Sequence, residues 1–137
     1  MALPLTGGCL CGGVRFEIGE PLVRAGYCHC TRCQRRTGTA AAASALVAPG
    51  SLRVTAGEEL IRSYDPPDGF RKLFCSACGG ALWSRHPEDD AVLAVRLGAI
   101  DGDPGIRPSY RRYVAYATPW EPLPDDGLPR FPERRTG

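Results

Sequence analysis

The run Cys28-His29-Cys30-Thr31-Arg32-Cys33 places three thiols within six residues. Packing alone gives no reason for that spacing. Residues separated by one or two others can, however, share one tetrahedral ion, because a thiolate sits about 2.3 Å from zinc and the backbone need not bend far to bring several together. The remaining thiols are Cys9 and Cys11 in GGCLCGG, and Cys75 and Cys78 in FCSACGG, so all seven cysteines fall in three clusters. The two paired clusters combine into one closed four-thiolate site, the usual structural zinc arrangement, which leaves the three-thiol cluster on its own. Catalytic zinc characteristically has three protein ligands and one exchangeable position. Cys28, Cys30 and Cys33 are therefore candidates for a reactive centre whose open position receives substrate, and the count implies two zinc ions per chain. Counting leaves a mixed pairing of the clusters open.

A length of 137 residues with 43% hydrophobic content fits one globular domain spanning 1–137. The opening MALPLTGG has neither a basic head nor an apolar run of signal-peptide length, and no eighteen apolar residues follow one another anywhere. A soluble, cytoplasmic protein without a membrane partner is expected. In that compartment thiols stay reduced, and an odd count suits a disulfide framework poorly. The formal charge of +2 becomes −1 once four-thiolate and three-thiolate zinc are counted at −2 and −1. Nucleic acid is not expected as a partner, since phosphate-backbone binders show a clustered basic face and the arginines here are scattered. Of the arginine pairs, Arg111-Arg112 and Arg134-Arg135 read as solvated surface.

Outward from the clusters, Val14, Phe16 and Ile18 alternate with Arg15 and Glu17, the period of a half-buried strand. The glycines around Cys9 and Cys11 read as the tight turns of a metal knuckle. Past Cys33, Gln34 to Gly38 reads as an exposed turn. Thr39 to Ala48 is rich in alanine but bounded by Gly38 and Pro49-Gly50, and is assigned as a buried strand. Further strands are expected around Leu52 and Val54, at Leu60 to Tyr64, Phe70 to Phe74, Ala81 to Ser84 and Ala91 to Leu97, with the last at Tyr113 to Ala117. The segments around Cys75 and Cys78 form a strand, CxxC, glycine, strand hairpin. From Thr118 onward, Pro119, Pro122, Pro124, Pro129 and Pro132 exclude a regular helix and predict an extended tail. The fold class is mostly β, short antiparallel strands stapled by zinc knuckles.

With the clusters placed, the chain resembles the glutathione-dependent formaldehyde-activating enzyme family, whose β-tent fold is shared with centromere protein V. GGCLCGGVRFE at 7–17, YCHCTRCQRRTG at 27–38, FCSACGG at 74–80 and ATPWEPLPDDGLPRFPE at 117–133 carry the resemblance, nearly end to end. It implies that Cys9, Cys11, Cys75 and Cys78 hold a structural zinc and that Cys28, Cys30 and Cys33 hold the active-site zinc. One departure lies at Arg107 to Tyr113, where many relatives carry a histidine followed by an apolar pair.

The activity implied is a carbon-sulfur lyase reaction, the reversible addition of a thiol, glutathione or similar, to formaldehyde or a related small aldehyde. Arg35 and Arg36 follow the three-thiol cluster directly and are candidates to pair with substrate carboxylates. Trp120 is a candidate to close over the pocket, or a tryptophan buried for packing. His29 lies between two ligands, so its side chain is expected to point away from the metal, and His86 is assigned to the surface. Two other readings stand beside the enzyme. One is a non-catalytic zinc-stabilised binding module for a thiol or a macromolecular partner, and the other is a thiol redox protein. A homodimer is compatible with each of them.

Overall fold

A computed structural model describes residues 2–136. Eleven short strands, among the described residues, form two sheets. The smaller contains β1 (Leu5–Gly8), β2 (Arg15–Ile18) and β5 (Leu52–Ala56), in the order β1-β2-β5. The larger contains β3 (Arg24–Cys28), β4 (Ala42–Leu46), β6 (Ile61–Tyr64), β7 (Arg71–Cys75), β8 (Ala81–Arg85), β9 (Val92–Arg96), β10 (Arg111–Arg112) and β11 (Arg130–Phe131). Its order is β11-β10-β3-β4-β9-β8-β7-β6.

The two sheets meet through the alternation legible in the sequence. Val14, Phe16 and Ile18 are fully buried and pack towards Ala45, Leu82, Trp83 and Val95 of the larger sheet. The rings of Phe16 and Trp83 meet edge to face at 5.4 Å and 84°, a geometry worth about 0.5–1.5 kcal/mol beyond the area it buries. Strand β9 lies inside the larger sheet, as its apolar run requires, and β4 confirms the strand reading of the alanine-rich stretch.

Three expectations are corrected. Gln34 to Gly38 is not a turn but the end of α1 (Thr31–Thr37). Cys30 caps that helix, its Sγ accepting the Cys33 amide at 3.4 Å, and Gly38 terminates it in the left-handed conformation with its amide on the Gln34 carbonyl. Arg35 and Arg36 occupy the last turn, where cations complement the helix dipole. Tyr113 to Ala117 is likewise not a strand. Tyr113 adopts φ 58°, which ends β10, and Val114–Tyr116 form a 3-10 turn. Finally, the strands are not all antiparallel, since β10 runs parallel to both β3 and β11. The structure also adds β1, where Gly7 lies in a ladder rather than a turn. A Cβ there would sit 2.4 Å from the Ala99 carbonyl and 2.5 Å from the Phe16 ring, so glycine permits the close approach.

The C-terminal segment from Thr118 holds no helix among the described residues, and an ion pair between the buried Arg111 and the exposed Asp126 ties it to the sheet. Arg111 donates from Nη2 and Nε to Asp126 at 2.8 and 3.1 Å. Arg111, and then the Leu128 amide, hold the Asp126 carboxyl below its ordinary 3.8. A carboxylate whose folded pKa is depressed contributes stability above its unfolded value, and loses it as pH falls through the folded one. Docking of the tail is thus expected to weaken below about pH 4. Asp126→Asn should reproduce that loosening at neutral pH, because the buried guanidinium loses its anion. Limited proteolysis should then cut faster within residues 118–136 while the sheets stay resistant; unchanged cleavage would remove the pair from this role.

Candidate functional site

The cysteine clusters assemble as two separate thiol groups. Cys9, Cys11, Cys75 and Cys78 form one, and Cys28, Cys30 and Cys33 the other, each with all Sγ atoms within 4.8 Å of one another. Tetrahedral bonds of about 2.3 Å would set sulfurs about 3.8 Å apart. The Cys9–Cys11 and Cys11–Cys75 separations of 3.6 and 4.0 Å match that figure. Each cluster could hold a metal ion, and the donor set, all thiolate, suits a soft or borderline one.

The four-thiol group joins the two sheets. Cys9 and Cys11 lie in the turn between β1 and β2, while Cys75 closes β7 and Cys78 lies in the turn between β7 and β8. The Val14 amide donates to Cys9 Sγ at 3.2 Å. Burial pushes the Cys9 thiol up, but Val14 and the neighbouring thiols outweigh it and bring it to about 6.

The three-thiol group is built where β3 runs into α1. Cys28 closes β3 and is buried, Cys30 is the helix cap, and Cys33 lies in the first turn. Cys30 and Cys33 push the Cys28 thiol far up, whereas Cys28 and Cys30, and then Arg36, hold Cys33 down against its own burial. Three thiols this close cannot all ionise without a cation among them. His29 points away, as expected from its position between ligands. It is buried, and its Nε2 lies 3.2 Å from Nη1 of Arg111, which can only donate, so Nε2 is the acceptor. Burial and then Arg111 lower the His29 pKa, which keeps the ring neutral.

Cys28 and Cys33 line a cavity of about 350 Å³ on the outer face of the larger sheet. Register explains why space is left there. Leu46, Ala94, Ser84 and Lys72 lie in one cross-strand row with Arg24, and Gly26, Ser44 and Arg96 in the next. Most of the floor is therefore small: Gly26, Ala42, Ser44, Ser84 and Ala94. The Tyr110 ring stands over Gly26 so closely that a Cβ would meet it at 2.4 Å.

The walls are basic. Arg24, Arg36, Lys72, Arg96 and Arg112 line the cavity with Arg134 and Arg135 of the C-terminal segment, and no Asp or Glu does. Arg36 lies nearest the thiols, its Nη2 3.9 Å from Cys33 Sγ. Burial, then Arg36, pull the Arg96 guanidinium down to about 10; burial, then Arg96 and Arg36, lower Lys72.

The structure separates the residues proposed for substrate contact. Arg36 joins the thiol cavity, while Arg35 is exposed and lines a second one of about 700 Å³ with Arg32, Tyr64 and Pro66. Trp120 is 65% exposed and lines neither; it borders a third cavity beside His29 and Tyr27. Of the arginines read from the sequence as solvated surface, Arg111 is instead buried, whereas Arg112 and Arg134 are exposed and Arg135 half-buried, and these three line the thiol cavity. Lys72 and Arg96 were not singled out by the sequence reading at all. Their signal was a charge at an alternating position of an apolar strand, in FRKLF and VLAVRL.

Comparison with known proteins bears on this arrangement. The family model described as glutathione-dependent formaldehyde-activating enzyme matches residues 4–116. A Halomonas elongata protein, named provisionally as a glutathione-dependent formaldehyde-activating enzyme, is 31% identical over 105 residues, 72% of this chain and 67% of its own. The crystal structure of a Rhodobacter sphaeroides protein aligns with a TM-score of 0.56 at 26% identity, covering 92% of this chain and 98% of that one. No helix among the described residues is long and apolar enough to cross a membrane.

Proposed function

Since the chain belongs to the glutathione-dependent formaldehyde-activating enzyme family, we propose that it is a zinc-dependent carbon-sulfur lyase that adds a low-molecular-weight thiol to formaldehyde. The observation that carries this reading is that two members of the three-thiol cluster, Cys28 and Cys33, open onto a cationic cavity, which no thiol of the four-thiol cluster lines.

Cys28, Cys30 and Cys33 would hold the reactive zinc, and Cys9, Cys11, Cys75 and Cys78 the structural one. Zinc, when bound by three thiolates, supplies a position at which a fourth thiol is ionised at neutral pH. The chain's own part is to bring that thiol and the aldehyde together. Arg36 beside Cys33 draws an anionic thiol towards the cluster, and the remaining basic walls fix its acidic groups. The small floor leaves room for formaldehyde. The sulfur adds to the carbonyl carbon, forming the S–C bond as the C=O π bond opens, and the oxygen takes a proton from water to give the S-hydroxymethyl adduct. Because the spontaneous reaction is already easy, orientation within the cavity is the main contribution expected.

Elemental analysis should find two zinc per chain. Exchange spectroscopy should then show adduct formation faster than in a protein-free mixture of the same thiols and aldehyde. Two zinc with no acceleration for any thiol would sink the enzymatic reading and leave a zinc-stabilised binding module.

A further inference from the structure

Arg36, Lys72 and Arg96 line both the thiol cavity and the neighbouring 700 Å³ cavity, so they form the wall shared by the two. No carboxylate pairs with any of the three among the described residues. Their own hydrogen bonding is also incomplete. Arg96 donates from Nη1 to Ser44 Oγ at 2.7 Å, but its Nε, and both Nε and Nη1 of Arg36, are buried without a partner. Buried donors on like-charged groups are costly unless an acceptor arrives. Three thiolates around a divalent ion carry a net −1, which answers one of these cations and leaves two.

We propose that Arg36, Lys72 and Arg96 form a seat for a dianionic group, so that the thiol used by this protein carries a phosphate monoester or two neighbouring carboxylates. Glutathione fits this seat poorly. Its two carboxylates lie at opposite ends of the molecule, and its ammonium group finds no Asp or Glu in the thiol cavity, while the one carboxylate lining the neighbouring cavity, Asp68, is already paired with Arg32. A dianion with parallel oxygens matches guanidinium geometry and completes the unpaired donors. That the ligand is a thiol rests on the lyase reading above; the anion seat does not.

Calorimetric titration of the zinc-loaded full chain with inorganic phosphate, in chloride buffer, tests the seat without any turnover. One phosphate per chain is expected, weakened at least tenfold in Lys72→Met and in Arg96→Gln. Without phosphate both variants should melt at or above the parent temperature, because they relieve repulsion between like charges. A merely structural role would lower it. No saturable binding, or equal binding in parent and both variants, would overturn the seat.

Formaldehyde addition is then compared for 4′-phosphopantetheine, mercaptosuccinate, glutathione and 2-mercaptoethanol. A kcat/KM at least tenfold above that of glutathione is expected for phosphopantetheine if the group is phosphate, or for mercaptosuccinate if it is a dicarboxylate, and Arg96→Gln should erase the preference. Glutathione equalling or exceeding both would overturn the dianionic substrate. Phosphate binding with no turnover of any thiol would overturn the lyase reading while upholding the seat.

Discussion

Replacing Cys75 by serine is expected to leave little folded protein at 37 °C. Cys75 is fully buried at the end of β7, and its cluster holds the β1–β2 turn of one sheet against the β7–β8 turn of the other. A structural zinc site contributes about 10–16 kcal/mol in small zinc domains, against total stabilities of about 5–15 kcal/mol for ordinary ones. Losing one of four ligands therefore removes most of the margin, and a buried hydroxyl replaces a thiolate without binding metal comparably. Thermal denaturation followed by circular dichroism should show the loss, and chelation of the parent protein should mimic it. A melt within a few degrees of the parent would mean that hydrophobic contacts such as Phe16 on Trp83 hold the sheets together unaided.

Cys30→Ser should do the opposite, abolishing function while sparing the fold. Serine is among the best helix caps, and here it would inherit the hydrogen bond that Cys30 Sγ accepts from the Cys33 amide, so α1 keeps its start. What it cannot keep is the third thiolate. Even groups that only orient metal ligands cost about 10–100-fold when removed, so loss of a ligand itself should cost roughly 100-fold or more. The thiol addition rate should fall to the spontaneous level and zinc content to one per chain, with a melting temperature within a few degrees of the parent. If Cys75→Ser and Cys30→Ser behave alike, the division into a stapling and a reacting cluster is wrong.

That Cys28, Cys30 and Cys33 meet was legible in the sequence, because spacing within a cluster is a local property, whereas counting alone left open that Cys9 and Cys11 meet Cys75 and Cys78. The strand alternation of Val14, Phe16 and Ile18 was legible for the same reason. What was not legible depends on contacts between distant segments. Tyr113 reads as strand, but its backbone takes φ 58° where the chain leaves the pairing of β10 with β3 and β11. Gln34 to Gly38 reads as a turn because the helix it ends starts at a cysteine, Cys30, rather than at one of the preferred caps Ser, Thr, Asp or Asn. The basic walls were missed because Arg24, Lys72, Arg96 and Arg112 lie on four strands, and only the register sets them on one face. Arg134 and Arg135, in turn, reach that face because the C-terminal segment is tied back to the sheet, by the pairing of β11 with β10 and by the Arg111–Asp126 ion pair.

The floor of small side chains separates two properties that most binding sites entangle. Ala42, Ser44, Ser84 and Ala94 line the cavity without belonging to either thiol cluster. On the function proposed above, lengthening Ser84 or Ala94, two cross-strand rows from the Cys28–Ala42 pair, raises the floor and shortens the thiol that fits while leaving the three-thiol cluster untouched. A lineage built on this sheet can therefore exchange one cellular thiol for another by single substitutions, while the chemistry passes unaltered from ancestor to descendant.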